Sequence, residues 1–292
     1  MKTMIWLGCL GGLLTMGACT GPAGEGGPPV PEAVARAVAR AETAPRLMTP
    51  AREDSLLAAE KDLATAVRVG RWARRFLEAD GVTYLFGLDQ GGYAAAGDLI
   101  RDDRQDCVSL MYRVTELARA DDHRDAVAWA LRTRFAAAPL DSVVDAQGRV
   151  DYDRPEHLDF SLDMIRSGHW GRNVTDSLTG ARPDSVGSSR YPAGTFTAVP
   201  ETDLVEQELA EGDILWLVLN PDDPAGAGLR REYGLVIGHI GIVIVEEGRP
   251  WLVHAASSKL DPWYEGNTVV KVPVAVYLAR VEKYSAVMVT RF

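Results

Sequence analysis

The sequence predicts an α+β fold with N-terminal helices and a mainly antiparallel β-sheet. Up to about residue 138 the chain runs in long Ala-, Arg- and Glu-rich stretches whose apolar residues recur at helical spacing. The last third is instead a series of short runs rich in Val, Ile and Leu, separated by Gly, Pro and Asp. Helices first and strands later is the pattern of an α+β domain. With 292 residues, 47% of them hydrophobic, the chain can bury a sizeable core.

The elements follow in order. Met1 to Met16 carries Lys2 and then MIWLGCLGGLLTM, an apolar run of signal-peptide length that is too short to span a membrane, so residues 1–18 read as a cleaved export signal. MGAC, residues 16–19, resembles the lipobox of bacterial lipoproteins, with Met16 where leucine is usual; Cys19 is the expected lipidation site and the membrane the expected partner through that anchor. Thr20 after this cysteine resembles the outer-membrane sorting pattern, which implies an exported protein on the periplasmic face. Residues 19–33 are Gly- and Pro-rich, the composition of a tether. Residues 34–69 are expected to form a helical N-terminal segment and residues 70–292 the main domain, with two helices over 32–79 broken at APRLMTP.

DGVTYLFGLDQGGYAAAGD, residues 80–98, reads as loop. Asp106 is the N-cap of a helix whose apolar face is Val108, Met111, Tyr112, Val114 and Leu117, and a second amphipathic helix spans 123–138. Residues 139–212 are irregular, with one short helix around EHLDFSLDMIRS. Strands are expected at 213–219, 239–247, 250–257, 268–276 and 285–292, the second and third joined as a hairpin through EEGRP.

Of three cysteines, Cys9 leaves with the signal and Cys19 is acylated, so Cys107 has no partner in a compartment that favours disulfides. Such a thiol is either buried and inert or chemically employed. Its place in the first turn of a helix suits employment, because the helix N-terminus stabilises a thiolate and lowers its pKa. Among the five histidines, His239 and His254 fall on the two hairpin strands, where one sheet face brings them together if the register allows. A net charge of -10 disfavours a nucleic-acid partner. No Cys/His cluster has zinc spacing, and HExxH, GxGxxG and phosphate-loop motifs are missing, so neither metal nor cofactor is expected.

DC at a helix start, GD opening a strand (Gly212, Asp213), HIGIVI and HAAS, in this order, resemble the papain-like cysteine peptidases of the NlpC type, which act on bacterial cell-wall peptides. FLEADGVTYLFG, GLVIGHIGIV, LVHAASS and the closing YLARVEKYSAVMVTRF are closer still to the family described as N-acetylmuramoyl-L-alanine amidase-like, over roughly residues 70–292. The resemblance implies a papain-like core, with Cys107 as nucleophile, His239 as general base and His254 as the group that orients it. It implies substrate contacts from Tyr84, Arg154 and Asp213. Thr83 departs from the family's usual proline, and DRPEHLDFSLDMI matches the family's Arg/His/aromatic segment only loosely, leaving Arg154, His157 and Asp159 as its polar candidates. The substrate implied is peptidoglycan or its muropeptide fragments, cut at the lactyl amide to L-alanine or at the γ-D-glutamyl bond to the diamino acid. A non-catalytic envelope lipoprotein binding cell-wall peptides in the same groove is the alternative. Oligomeric state is not legible.

Overall fold

Pro31 precedes the first helix, α1 (Glu32–Thr43), which buries the stripe Ala33, Val34, Ala37, Val38 and Ala41. The computed structural model describes residues 31–135, 139–158, 162–186 and 194–292. The expected signal segment, Cys19 and most of the tether lie outside these residues, as does Asp159. The described chain breaks between Ala44 and Thr49 as the sequence predicts, and the Thr49 hydroxyl caps α2 (Pro50–Glu60), with Pro50 in its first turn.

The single helix expected over 51–79 is divided. The chain turns at residues 61–64 and resumes as α3 (Thr65–Glu78). Glu60, buried at the end of α2, accepts hydrogen bonds from Arg71 Nη1 (3.2 Å) and Arg75 Nη1 (3.1 Å). A continuous helix rises about 1.5 Å per residue and would have held these groups more than a dozen ångströms apart.

The predicted loop at 80–98 contains only β1 (Thr83–Tyr84) and the single turn α4 (Tyr93–Ala96). β1 pairs in parallel with β2 (Arg104–Gln105), which leads directly into α5 (Cys107–Arg119). This helix is buried on every side from Val108 to Ala118 and packs between α3, the sheet and α6 (His123–Arg134). Its polar residues are therefore paired. Arg113 Nε meets Asp102 Oδ1 at 2.7 Å, and Glu116 takes Arg134 through both oxygens at 2.8 and 2.9 Å. Glu53 of α2 lies 3.5 Å from Arg113 and also pairs with Arg46. Buried ion pairs thus fasten the N-terminal helices to α5, and a boundary at residue 70 falls inside α3.

Residues 139–212 hold more structure than expected. After α7 (Leu140–Val143) and α8 (Leu162–Ser167) come β3 (Arg172–Asn173), β4 (Arg182–Val186) and β5 (Gly194–Pro200). β3 and β4 contain Pro, Asn and charged residues and lack a strand signature, whereas β5 carries Thr195, Phe196, Thr197 and Val199, a strand-like run that the sequence reading passed over. Pairing with partners distant in the chain makes them strands.

The C-terminal third follows the sequence reading closely. β6 (Ile214–Leu219), α9 (Pro224–Tyr233), β7 (Ile237–Glu246), β8 (Arg249–Ala256), β9 (Thr268–Pro273), α10 (Val274–Arg280) and β10 (Tyr284–Arg291) complete the order. The strand expected through 276 stops at 273, because Pro273 has no N–H to extend the ladder and its backbone starts α10 instead. The eight-stranded sheet has the order β4-β5-β10-β6-β7-β8-β9, with β3 also on β10, and every pairing in it is antiparallel. Helices α3 and α5 cover one face, backed by α6 and α1, with a core that includes Trp72, Phe76, Met111 and Leu131. α10 and the segment 174–178 close the other over Leu215, Leu217, Val243 and Val287.

Candidate active site

Cys107 sits where the sequence predicts, at the first position of α5. Asp106 Oδ1 accepts from the backbone N–H of Val108 (3.0 Å) and Ser109 (2.8 Å), and Ser109 Oγ accepts from the Asp106 N–H (2.9 Å), a reciprocal capping box. Asp106 Oδ2 takes the Gly87 N–H at 2.8 Å, so the same carboxylate ties the 80–98 loop to the helix start. The cap consumes the second and third orphan amides of the helix and leaves that of Cys107.

His239 and His254 reach the site through a register set by a bulge. β6 pairs Leu217 with His239 but Val218 with Ile237, leaving Gly238 as an extra residue. A Cβ on Gly238 would stand 2.3 Å from Leu219 Cδ2, so this insertion requires glycine. Across the hairpin, Ile242 pairs with Val253, which puts His254 diagonal to His239 on one sheet face. His239 Nε2 and His254 Nδ1 are 2.9 Å apart, a hydrogen bond that leaves His239 Nδ1 for another partner. The Cys107 thiol lies by the backbone amide of Ile240, the residue after His239, whose N–H favours the thiolate. Nucleophile and imidazole are therefore neighbours on different elements. Cys107 and His239 each keep an exposed edge, whereas His254 is fully buried.

Two tyrosines that the sequence reading missed complete the cluster. Tyr277 of α10 and Tyr284 of β10 lie nearly parallel to the His239 ring, at 6.0 Å and 24° and at 6.2 Å and 22°. The Tyr284 hydroxyl donates to the Gly238 carbonyl at 3.3 Å and Tyr277 stacks on the Tyr284 ring at 6.2 Å and 21°, so the pair flanks the bulge as well as the ring. Tyr277 also packs edge-on against His254 at 4.8 Å, as does Tyr264 at 5.5 Å. Their only sequence signal was an aromatic residue in each closing element.

The electrostatics reverse one expectation. The helix N-terminus was expected to lower the Cys107 pKa. Burial, reinforced by the Asp106 charge, pushes the thiol up to about 12 despite help from the Ile240 and Cys107 amides and from Lys283. Burial and the adjacent His254 hold His239 well below its usual 6.5, and burial brings His254 to about 3. The resting pair is an uncharged thiol beside uncharged imidazoles.

The remaining sequence candidates lie in different settings. Tyr84 is half-buried beside Cys107, and burial together with that thiol raises its hydroxyl pKa. Arg154 is spent on the 139–156 segment, bonding the Ser142 carbonyl at 2.9 Å and Glu156 Oε1 at 3.1 Å. It lines a cavity of about 630 Å³ with Leu88, Tyr152 and Asp153 that does not include Cys107. Asp213 is fully buried, and both its oxygens meet Arg291 at 2.7 Å while one accepts the Ala210 N–H. Its carboxylate fastens the start of β6 to the end of β10. His157 packs on Phe135 and Tyr152. Among the described residues, no three His, Cys, Asp or Glu side chains converge as a metal site, and no helix is long and apolar enough to cross a membrane.

No family model matches this chain, and no curated protein matches it. Solved structures share its fold. An N-acetylmuramoyl-L-alanine amidase from Bacteroides uniformis is 19% identical with a TM-score of 0.54, over 78% of this chain and 98% of its own. A Legionella pneumophila protein of the DUF1460 family is 15% identical with a TM-score of 0.59, over 82% of this chain and 93% of its own. A Bacteroides fragilis protein provisionally described as a xylanase is 18% identical with a TM-score of 0.51, over 76% of this chain and 100% of its own. At such identities the likeness establishes the α+β fold.

Proposed function

We propose that this chain is an exported, lipid-anchored cysteine hydrolase with a papain-like core, cleaving an amide bond in the stem peptides of peptidoglycan. The observation that carries this reading is the Cys107–His239–His254 arrangement: a thiol at a helix start, against the amide next to His239, whose far nitrogen is held by His254 at 2.9 Å. The amidase of Bacteroides uniformis supports it, since that protein carries the same fold.

Because both partners rest uncharged, His239 takes the thiol proton as Cys107 attacks the amide carbonyl. The Cys107 N–H, left over by the Asp106 cap, is an available donor to the developing oxyanion. The C–N bond then breaks, His239 passes its proton to the leaving amine, and water, deprotonated by the same imidazole, hydrolyses the thioester. His254 holds the ring for both transfers. Tyr84 stands beside the thiol as one wall for substrate, and Cys19 carries the anchor.

The test is mass spectrometry of sacculi and soluble muropeptides digested by the soluble body from residue 32 onward. Cleavage is expected with the wild type and not with Cys107→Ala, and the new termini distinguish the lactyl amide from the γ-D-glutamyl bond. Binding of muropeptides by both proteins with cleavage by neither refutes the enzyme and leaves a cell-wall binding lipoprotein. For the anchor, palmitate labelling in cells is expected with the full chain and lost in Cys19→Ser.

A further inference from the structure

The rim of the site holds a cation without an anion. Lys283 stands between α10 and β10, half-buried, with its ammonium 5.1 Å from the centroid of the Tyr284 ring. That ring is the one stacked on His239. Lys283 is therefore one aromatic ring removed from His239, and its charge acts weakly on both His239 and Cys107. Among the described residues no carboxylate lies within ion-pair distance of it. Lys271 and Lys259 differ, meeting Glu246 at 2.6 Å and Asp261 at 2.9 Å. Glu282, next to it in the chain, is exposed and makes no ion pair with it, and Asp106, which also acts on Cys107, is spent on three backbone amides. A half-buried lysine whose ammonium stands over an aromatic ring and meets no carboxylate lacks the counter-charge that normally accompanies such a group. In a chain of net charge -10, an unmatched cation one ring away from His239 is suited to an anionic group brought by the substrate.

We propose that Lys283 recognises the free α-carboxylate of the D-glutamate in the stem peptide. This rests on the cell-wall hydrolase reading. That carboxylate lies one residue from the lactyl amide and on the very residue of the γ-D-glutamyl bond, so it sits near the thiol whichever bond is cut. Amidation of this group would remove the charge while keeping the shape, so the site would distinguish amidated from free-acid cell walls.

The experiment uses N-acetylmuramoyl-L-alanyl-γ-D-glutamyl-diaminopimelate with the D-glutamate α-carboxyl either free or amidated. Binding is measured by calorimetry to Cys107→Ala carrying Lys283, Lys283→Gln or Lys283→Arg. The expected result is that the free acid binds about tenfold to a hundredfold more tightly, that Lys283→Gln abolishes the difference and that Lys283→Arg keeps it. Retained binding of the amidated ligand by Lys283→Gln reports that the variant is folded. Equal affinity for the two ligands, a preference that survives Lys283→Gln, or no binding of either ligand overturns the proposal. Hydrolysis by the protein with Cys107 intact scores the enzyme separately. Cleavage without the preference refutes Lys283 alone, and the preference without cleavage refutes the enzyme alone.

Discussion

Asp106→Asn separates two jobs that one carboxylate performs. One oxygen holds the amides of Val108 and Ser109 and the other holds Gly87, all within 3.0 Å, and the residue is 3% exposed. Asparagine keeps one acceptor. With that oxygen on the helix, its NH₂ faces the Gly87 N–H, donor against donor, in a site with little access to water. Leaving one buried amide unsatisfied costs about 1–3 kcal/mol, and urea denaturation at pH 7 is expected to register a loss of that size. The same substitution removes the charge that, after burial, does most to raise the Cys107 pKa. The midpoint of iodoacetamide alkylation against pH is therefore expected to fall below that of the wild type, while staying above the ordinary 9.0 because burial persists. A protein that is less stable yet has a more acidic thiol is a combination that general loosening around Cys107 does not require. An unchanged or higher midpoint, or undiminished stability, would refute the reasoning.

Other consequences follow from the same geometry. His254→Phe keeps the ring stacking but removes the bond to His239 Nε2, and kcat is expected to fall about a hundredfold with KM little changed, since a misplaced base costs about that much. The His254 pKa is near 3 in the folded chain and ordinarily 6.5, so the unfolded chain takes up its proton first. The stability it contributes is complete above about pH 6.5 and lost as the pH falls towards 3; unfolding free energy measured from pH 7 to 4 should drop less steeply in His254→Phe. Arg134→Met removes both hydrogen bonds of the buried Glu116 carboxylate and leaves it Arg113 at 3.7 Å; it is expected to cost about 3 kcal/mol in denaturant titrations, and a loss under 1 kcal/mol would show that the α5–α6 ion pair does not secure the packing. With His239 unprotonated from well below pH 6.5 and the thiol protonated to about 12, kcat/KM should be level between pH 7 and 9, whereas a bell-shaped optimum in that window would point to a charged resting pair.

Local chemistry made much of this protein legible from sequence. Asp106 followed by an apolar face with helical spacing is sufficient to start α5, because a cap and a helical stripe act over a few residues. The EEGRP hairpin is similarly local: Glu247 and Gly248 both adopt positive φ, 52° and 76°, the backbone that a two-residue turn between twisted strands needs. That hairpin placed His239 and His254 on one face. Everything that depends on distant partners was invisible. β4 and β5 pair with each other and join the main sheet only because β10 returns to pair with Val199 and Pro200, and the Asp213 carboxylate is engaged because Arg291, seventy-eight residues later, reaches it. Tyr277, Tyr284 and Lys283 join the site through the closing elements of the chain, with no motif to announce them. Even the sign of the Cys107 shift was a tertiary matter. A helix N-terminus pulls the thiol pKa down through groups adjacent in sequence, but burial is produced by α5 packing against a sheet assembled from residues more than a hundred positions away. The sequence by itself determined which residue carries the thiol and which helix presents it. Only the folded chain decided what surrounds that thiol, because desolvation and charge depend on distance in space.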